Sequence, residues 1–540
     1  MPARFNSFHS FNFFLCFRIL LVFIPIFSGC GHLQKTATQV LKKKLTAAGF
    51  HVQVRQIQFT QWNKVKLSEI KVIHPKISFY CPTLDLDLKI PLFQRPVVNL
   101  FSPLLVLKSP KERTDLQKVT PKKRRFLSGR SVYKLFRTVR IRDGEVLLNW
   151  KKNWAKGTIP FAEIHYLWGG RFQGRARCHQ GVLKHQKVAN TSLKFRPVEI
   201  EWKIKQFRRK SFKTELYRIN SLFARQGDLV FEAQGEVCPD RTEFFIRFDG
   251  KMKPLGIHEL ITQLPPAAMQ PFTNLSAEGK IGLDLFIHFD RHNLDGSELR
   301  VVPRLSQFSL VDLGLSPSIK NLADPDSFPY RKSPQGPWRL VNQNTNLFTS
   351  FPRLPLFCVG AILCAEDISF FKHTGIDLMA LKEALFDDLI RGSLWRGGST
   401  LTQQLARNLY LSQEKNLLRK LQEAVIACGL EQDLSKERIF ELYVNFIEWG
   451  INIYGIFAAS RIYFNKNPEQ LNPLEAACLA SMIHNPRRYH RELESGQLSE
   501  YWIKRMQTIL EKMKIHGYIT EEEFNNWKGQ SINFQRNPID

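Results

Sequence analysis

Apolar and polar residues alternate one by one through much of the first half of the chain, from about residue 45 to residue 310. The alternation is strict in the segments 51–59, 84–90, 198–204 and 280–285. Successive side chains of a strand point to opposite faces of a sheet, so this period predicts half-buried β-strands. Because little helical spacing lies between these segments, they predict a β-rich antiparallel domain.

A turn-rich stretch with several prolines, residues 316–337, ends the alternation, and the spacing after it becomes helical. Two helices with one apolar face each are indicated, by Leu378, Leu381, Leu385 and Leu389 and by Leu417, Leu421, Val425 and Cys428. The second half is therefore predicted to be mostly α-helical. The predicted organisation is a signal or membrane anchor (1–30), a β-rich envelope domain (31–320), a linker (321–337), a helical domain (338–528) and a tail (529–540).

The N-terminus carries a short apolar run, residues 19–27, that follows Arg18 and precedes small residues. This arrangement is typical of an export signal, and the run is too short to span a bilayer. The sequence Phe27-Ser28-Gly29-Cys30 resembles a bacterial lipobox, which makes Cys30 a candidate for lipidation. The alternative is an uncleaved membrane anchor. Both interpretations predict that the rest of the chain lies outside the cytoplasm and faces a membrane.

Charge narrows the range of partners. The 540 residues include 78 Lys and Arg against 49 Asp and Glu, which gives a formal net charge of +29. A chain this basic is expected to meet anions, whether nucleic acid, anionic lipid headgroups or phosphorylated substrates. The export signal is at odds with nucleic acid, so the other two classes are favoured.

Cysteine spacing excludes some kinds of site. The nine cysteines show no CxxC pair and no zinc-type spacing. Several lie in apolar surroundings, so we expect buried free thiols, at Cys358, Cys364, Cys428 and Cys478.

Polar residues that a packed helical domain does not need occur in four clusters of the second half, at residues 366–375, 397–408, 419–423 and 443–464. In the first cluster, Glu366 directly follows the almost wholly apolar segment 357–365. We expect a carboxylate at the end of such a segment to be partly desolvated. Desolvation raises the pKa of a carboxyl group, which suits a general base.

The second and third clusters contain hydroxyl residues that can cap a helix, a side-chain amide and several charged side chains. Ser399 or Thr400 can cap a helix after the glycine pair at 397–398. Thr400, Gln404 and Arg407 then share one helix face beside an N-terminus that favours anions. In the third cluster, Arg419 and Lys420 precede Glu423 by four and three residues, a spacing that allows ion pairs on one helix.

In this order and combination, the four clusters resemble the family 51 glycosyltransferases, the peptidoglycan transglycosylases that polymerise lipid II. The resemblance covers about residues 338–528, and the segments 444–464 and 485–489 look most like the monofunctional biosynthetic branch. It implies a mostly α-helical, lysozyme-like fold. It also implies an enzyme that joins lipid II into β-1,4 glycan strands and releases undecaprenyl pyrophosphate.

The resemblance implies roles for single residues. Glu366 would deprotonate the 4-hydroxyl of the acceptor sugar, which attacks the donor with inversion, and Glu423 would assist the leaving pyrophosphate. The implied substrate-binding residues are Thr400, Gln404, Arg407, Asn408, Arg419 and Lys420. The family usually has lysine where Arg407 stands. The implied supporting residues are Asp367, Phe370, His373, Asn445 and Glu448.

No cofactor is firmly implied beyond a divalent metal, Mg²⁺ or Mn²⁺, at the pyrophosphate, and its ligands are unknown. The expected partners are lipid II, the growing glycan strand, the membrane and other cell-wall synthesis proteins, and no nucleic acid. The expected location is the inner membrane, facing the periplasm. The segment between the first two clusters touches the membrane in this family, which implies membrane contact for the helix that starts at Leu378. The alternative is that its apolar face packs in the core.

Two other functions stay open. A lysozyme-like enzyme that cleaves glycan would need one or two carboxylates, but no set of cations for a pyrophosphate. A non-catalytic envelope protein would handle lipids or act as a scaffold, and the β-rich half resembles the AsmA-like envelope proteins in its pattern. Transpeptidase activity is not expected, because no KTG-type segment accompanies the SxxK matches at Ser68 and Ser369.

Overall fold

The computed structural model describes most of the chain after residue 50. The described residues are 51–61, 64–74, 77–87, 97–107, 138–150, 153–209, 214–240, 242–272, 274–324, 327–330, 339–342, 348–391, 398–412, 414, 416–495 and 498–534. The predicted signal or anchor, with the lipidation candidate Cys30, lies outside these residues. The chain divides into two compact units, residues 1–269 with 278–308 and residues 270–277 with 309–540.

A 16-stranded sheet forms the strand-rich part of the chain. Its strands are β1 (His51–Gln53), β2 (Gln56–Gln61), β3 (Lys64–His74), β4 (Ile77–Asp87), β5 (Val97–Phe101), β6 (Leu104–Leu107), β7 (Thr138–Trp150), β8 (Asn153–Tyr166), β9 (Arg171–His185), β10 (Ala189–Phe195), β11 (Val198–Phe207), β12 (Leu216–Gln226), β13 (Leu229–Cys238), β14 (Phe245–Gly256), β15 (Ser276–Asp290) and β16 (Glu298–Asp312). The helices α1 (Ile257–Gln263) and α2 (Pro266–Met269) lie between β14 and β15. The strand order is β1-β3-β4-β5-β7-β8-β9-β11-β12-β13-β14-β15-β16, with β2 beside β3, β6 beside β4 and β7, and β10 beside β9.

The prediction of a strand-rich half is confirmed, but its pairing is not purely antiparallel. Strands β5 and β6 pair with β7 in parallel, with Val97 opposite Thr138 and Leu104 opposite Glu145. The remaining registers that we resolve are antiparallel, as between β8 and β9. Alternation shows which face a side chain occupies and carries no information on the direction of the neighbouring strand.

Helices dominate the rest of the chain. They are α3 (Ile319–Ala323), α4 (Leu356–Glu366), α5 (Leu378–Arg391), α6 (Leu401–Tyr410), α7 (Leu417–Asp433), α8 (Lys436–Phe446), α9 (Ile456–Phe464), α10 (Pro473–Met482), α11 (Pro486–Glu494), α12 (Glu500–Ile515) and α13 (Glu521–Trp527). Two short hairpins accompany them, β17 (Ser327–Tyr330) with β18 (Arg339–Asn342) and β19 (Glu448–Gly450) with β20 (Ile453–Tyr454). The segment predicted as a linker, 321–337, thus contains the end of α3 and strand β17. The predicted domain boundaries stay a prediction.

Helix α4 forms the centre of the helical unit. All its residues from Cys358 to Cys364 are buried, and it packs against α10 and α12. Helix α10 is itself buried along its whole length. A helix that is apolar all round belongs in an interior. Because Glu366 is the last residue of α4, the packing of the core determines where this carboxylate lies.

The apolar face predicted on α7 lies at the surface, and that on α5 is exposed at its start and half-buried at Leu385 and Leu389. On α5, the Leu378 side chain is 45% exposed. On α7, the side chains of Leu417, Leu421 and Val425 are 47%, 58% and 47% exposed. The prediction of a buried thiol is wrong for Cys428, which follows on this face and is exposed. Helical periodicity identifies an apolar face but does not say what covers it.

None of the described helices has the length and apolar character that a membrane crossing requires. The described cysteines are all free thiols, and apart from Cys428 those of the helical unit are buried.

Candidate active site

Glu366 is held in a partly enclosed position at the end of α4. Its side chain is 11% exposed, and its Oε2 accepts a hydrogen bond of 2.9 Å from Nε2 of Gln404 on α6. Its Oε1 lies 3.8 Å from Nη2 of Arg505 on α12. Burial raises the pKa of Glu366, while the Gln404 hydrogen bond and the charges of Arg505 and Arg407 act in the opposite direction. The rise that the apolar segment predicts is therefore present, and its cause is desolvation.

Tyr443 orients the amide that contacts Glu366. Its hydroxyl donates to Oε1 of Gln404 at 3.1 Å, so the amide must present its NH₂ group to the carboxylate. Tyr443 is 0% exposed, and burial raises its pKa well above the usual value, which keeps the hydroxyl protonated as a donor. Sequence reasoning missed both Tyr443 and Arg505 as site residues. Tyr443 lies in the fourth cluster, whereas nothing in the local sequence distinguishes Arg505.

The start of α6 is tied to the segment after Glu366. Thr400 is its N-cap, as predicted, and its hydroxyl accepts from the Gln403 amide at 3.2 Å and donates to the carbonyl of Gly375 at 2.6 Å. Oδ2 of Asp367 accepts from the Leu401 amide at 2.8 Å. Thr400 is 2% exposed, so its hydroxyl serves the local fold. These bonds place Gln404, one turn further along α6, beside Glu366.

Phe370 and His373 support the same segment. Nε2 of His373 lies 3.1 Å from both carboxylate oxygens of Asp367. Phe370 is 0% exposed and packs edge-on against the His373 ring, and the Lys436 ammonium lies 4.3 Å from its centroid. These contacts lie within the segment that follows Glu366, and the supporting role expected for Asp367, Phe370 and His373 stays a prediction.

The second carboxylate, Glu423, is buried on α7 between two cations. Its side chain is 1% exposed, Oε2 accepts from Nζ of Lys420 at 2.7 Å, and Oε1 contacts Nη1 of Arg419. Nζ of Lys420 also donates to the Ser399 hydroxyl, just before α6. Burial, followed by the guanidiniums of Arg419 and Arg407, lowers the pKa of Lys420 to about 7. Contact with Glu423 favours the charged form of Lys420.

Arg407 connects the first and third clusters electrostatically. Its charge acts on Glu366 of the first cluster and on both Arg419 and Lys420 of the third. Burial lowers the pKa of Arg407 itself, while Tyr443 and Glu366 act against this shift. Its Nε atom is buried and has no hydrogen-bond partner among the described residues. The residues predicted from separate clusters therefore form one neighbourhood on α4, α6 and α7.

The other predicted residues lie around this neighbourhood. Asn408 is a half-buried residue of α6. Asn445 is 6% exposed, accepts from the Thr349 amide at 3.0 Å and donates to the Thr349 carbonyl at 2.8 Å, so it ties the chain before α4 to α8. Glu448 lies 3.2 Å from Nε of Arg487. Asn445 thus has a structural role, and substrate contacts of Asn408 and Glu448 stay predictions.

Comparison with known proteins identifies a family match within the helical part of the chain. The sequence model of the Transglycosylase family matches residues 337–514. The chain is 47% identical over 147 residues to the biosynthetic peptidoglycan transglycosylase of Thiobacillus denitrificans, covering 27% of this chain and 63% of that protein. It is 44% identical over 141 residues to the protein of the same name from Dechloromonas aromatica, covering 26% and 61%. Penicillin-binding protein 1F of Bacillus subtilis is 36% identical over 204 residues, covering 36% of this chain and 28% of that protein.

Residues 337–514 belong to the transglycosylase family. The predicted resemblance to family 51 is therefore confirmed for this domain. The chain spans less than two thirds of the length of each of the three relatives. The lysozyme-like description of the transglycosylase domain stays a prediction, as does the AsmA-like resemblance of the β-rich half.

A metal site is not evident in the transglycosylase domain. The described residues hold no group of three His, Cys, Asp or Glu side chains that could bind a metal ion. Both oxygens of Glu423 contact cationic side chains, which is unfavourable for a second cation at the same atoms. The residues present therefore do not fit a divalent metal held by the protein alone.

Proposed function

We propose that this protein is a peptidoglycan glycosyltransferase, which polymerises lipid II into β-1,4 glycan strands. The observation that carries the proposal is the joint position of two carboxylates and three cations. Glu366 is desolvated and oriented by Gln404, and Glu423 is set between Arg419 and Lys420, with Arg407 acting on both groups. The names of the relatives support the same reaction.

In the proposed reaction, Glu366 accepts the proton of the acceptor's 4-hydroxyl. The oxygen then forms a bond to the anomeric carbon of the donor, and the bond from that carbon to the pyrophosphate oxygen breaks. The bonding electrons leave with undecaprenyl pyrophosphate, and the configuration inverts. The raised pKa of Glu366 favours this step because a base of higher pKa accepts a proton more readily, provided that the group is ionised.

The cations are suited to the charge that develops on the leaving group. Arg407, Arg419 and Lys420 form a partly desolvated positive set, and electrostatic stabilisation is stronger where water is excluded. The unpartnered Nε of Arg407 offers a donor for a phosphate oxygen. Glu423 keeps Arg419 and Lys420 in place and lowers the repulsion between them. No step is derived through a metal, because the side chains present do not supply a ligand set.

Exposed apolar side chains next to the site support contact with a membrane. Phe371, Leu378 and Met379 are 44%, 45% and 64% exposed, and all lie between Glu366 and α6. Apolar side chains grouped at a surface mark an interaction site. We propose that this segment meets the bilayer that holds the lipid tails of the substrate, which places the transglycosylase domain in the cell envelope, at the periplasmic side of the inner membrane.

The decisive experiment is polymerisation of lipid II by the full chain and by Glu366→Gln. The glutamine keeps the shape of the side chain but cannot accept the proton, and a general base typically contributes about 10²–10⁴-fold to a rate. We expect a loss of that size, measured as glycan strands on a gel. Glu437→Gln on α8, an exposed glutamate outside the site, is the matched control and should polymerise normally.

Incubation with purified sacculi tests the rival enzyme. Soluble fragments from sacculi, with no polymer from lipid II, would show a glycan-cleaving enzyme. Equal polymerisation by Glu366→Gln and the unsubstituted chain would show that Glu366 is not the base. Absence of both activities in a folded protein would favour a non-catalytic envelope role.

A further inference from the structure

A second group of cations lies on the other side of Glu366. Helices α4 and α12 enclose a cavity of about 260 Å³, lined by Cys364, Ala365, Tyr501, Lys504, Arg505, Thr508, Ile509 and Lys512. Three of these residues are basic, and none of the described lining residues is acidic. Like charges around a cavity repel one another, and an anion between them removes the repulsion. The cavity thus combines an apolar floor with a positive rim.

The charges of the rim are available to a ligand. No ion pair in the described part of the chain includes Lys504 or Lys512. Arg505 is anchored by Nε, which donates to the Ser481 carbonyl at 3.3 Å; its Nη2 lies 3.8 Å from Oε1 of Glu366, and the residue also lines the cavity. Tyr501, 57% exposed, and Thr508 add hydroxyl groups to the lining.

The cavity and the first cation set approach Glu366 from different directions. Oε1 of the carboxylate faces Arg505 at 3.8 Å, whereas Oε2 faces Gln404 at 2.9 Å. Gln404 shares helix α6 with Arg407, whose charge acts on Glu366 and also on Arg419 and Lys420 of the first set. One member of each cation group, Arg505 and Arg407, therefore acts on the proposed base.

We propose that the cavity between α4 and α12 is a subsite for an anionic group of the acceptor substrate, a carboxylate or a phosphate. The inference rests on the proposed function, in which two anionic molecules meet at Glu366. The first cation set is assigned to the pyrophosphate that leaves the donor. The second set is then free to bind the acceptor, and it lies beside the base that must receive the acceptor's proton. Its apolar floor, formed by Ala365 and Ile509, can contact the uncharged part of the same molecule.

The test removes the two unpaired lysines together, in Lys504→Gln/Lys512→Gln. Lys514→Gln is the matched control, because Lys514 lies on the same helix, contacts Glu521 and does not line the cavity. We expect KM for lipid II to rise about fivefold in the double variant with little change in kcat, since an exposed charge contact contributes at most about fivefold in affinity and often much less. The control should keep the KM of the unsubstituted chain.

A binding measurement makes the test independent of turnover. In a Glu366→Gln background, we would titrate the full chain with short-chain lipid II whose peptide carboxylates are free and with the same molecule amidated. If the lysine substitutions weaken binding of the free-acid probe but not of the amidated one, the bound group is a carboxylate. Weaker binding of both probes would identify a phosphate.

Two results would contradict the proposed subsite. One is equal affinity of the double variant and its parent for both probes. The other is a loss as large in Lys514→Gln as in the double variant, which would show a general charge effect. Failure of the proposed function is seen separately, as absence of polymer from the unsubstituted chain, and the binding comparison still decides the subsite in that case.

Discussion

The hydrogen-bond chain from Tyr443 through Gln404 to Glu366 can be tested at its middle member. In Gln404→Leu, Glu366 loses the donor 2.9 Å from Oε2, and Tyr443 loses the acceptor 3.1 Å from its hydroxyl. Because Tyr443 is 0% exposed, water cannot replace that acceptor, and an unsatisfied buried polar group costs about 1–3 kcal/mol. With the lost bond to the carboxylate, we expect the free energy of unfolding to fall by about 2–4 kcal/mol.

The same substitution should also change how the polymerisation rate depends on pH, in a direction that the structure specifies. Glu366 must be ionised to accept a proton, so the rate rises with pH through the pKa of Glu366. Burial raises this pKa and the Gln404 bond lowers it, so Gln404→Leu should move the rising limb of the profile to higher pH. Tyr443→Phe keeps the bond to Glu366 and should leave the limb in place. Stability changes in the opposite direction: because the pKa of Glu366 is raised in the folded chain, its protonated form stabilises the fold below about pH 4, and this stabilisation is lost as pH rises through the raised pKa.

Urea denaturation and polymerisation of lipid II across pH measure both effects. The double variant Gln404→Leu/Tyr443→Phe is the control for stability, because removing both partners of a buried hydrogen bond costs less than removing one. It should recover part of the stability that Gln404→Leu loses. The hydrogen-bond chain would be refuted if Gln404→Leu changed neither the pH–rate profile nor the free energy of unfolding. A rising limb displaced to lower pH would show that the Gln404 bond does not lower the pKa of Glu366.

Two further substitutions test the supports of the site. Glu423→Gln leaves the buried Arg419 and the half-buried Lys420 without a carboxylate, and breaking a buried pair from one side costs up to about 3–5 kcal/mol. Its urea midpoint should therefore fall below that of Glu423→Gln/Lys420→Met, in which the charge of Lys420 is removed as well. Equal midpoints would contradict the pairing. Asp367→Ala removes the acceptor of the Leu401 amide, a capping bond of about 0.5–2 kcal/mol, and should lower Tm more than Asp367→Asn, which retains an oxygen. Equal Tm losses would show that the charge of Asp367 matters rather than its acceptor.

Much of the site was predictable because its parts are local. Arg419, Lys420 and Glu423 lie within one turn of a helix, so their contact follows from the spacing alone. Thr400 caps α6 because a hydroxyl after a glycine pair and before an apolar run is a start signal that needs no tertiary partner. Glu366 is desolvated because nine mainly apolar residues precede it on the same helix.

The residues that sequence reasoning missed are those brought in from a distance. Arg505 reaches Glu366 only because α12 packs against α4, and Tyr443 reaches Gln404 only because α8 packs against α6. No periodicity and no fixed spacing between residues in the sequence indicates either contact. Whether the apolar faces of α5 and α7 are covered is also decided by distant elements, since Leu421 carries the same periodic signal whether another helix covers it or not.

By itself, the sequence determined the strand-rich half, the helical half, the family of the latter and the local pairs around Glu423. These properties depend on side chains within one turn or one strand of each other, where the covalent chain already sets the distances. Only the tertiary structure decided that strands β5 and β6 run parallel to β7, that Arg505 contacts Glu366, and that Arg505 also lines a cavity between α4 and α12. Those features depend on how whole elements pack, and packing is settled by the combined shape of many side chains rather than by any short segment.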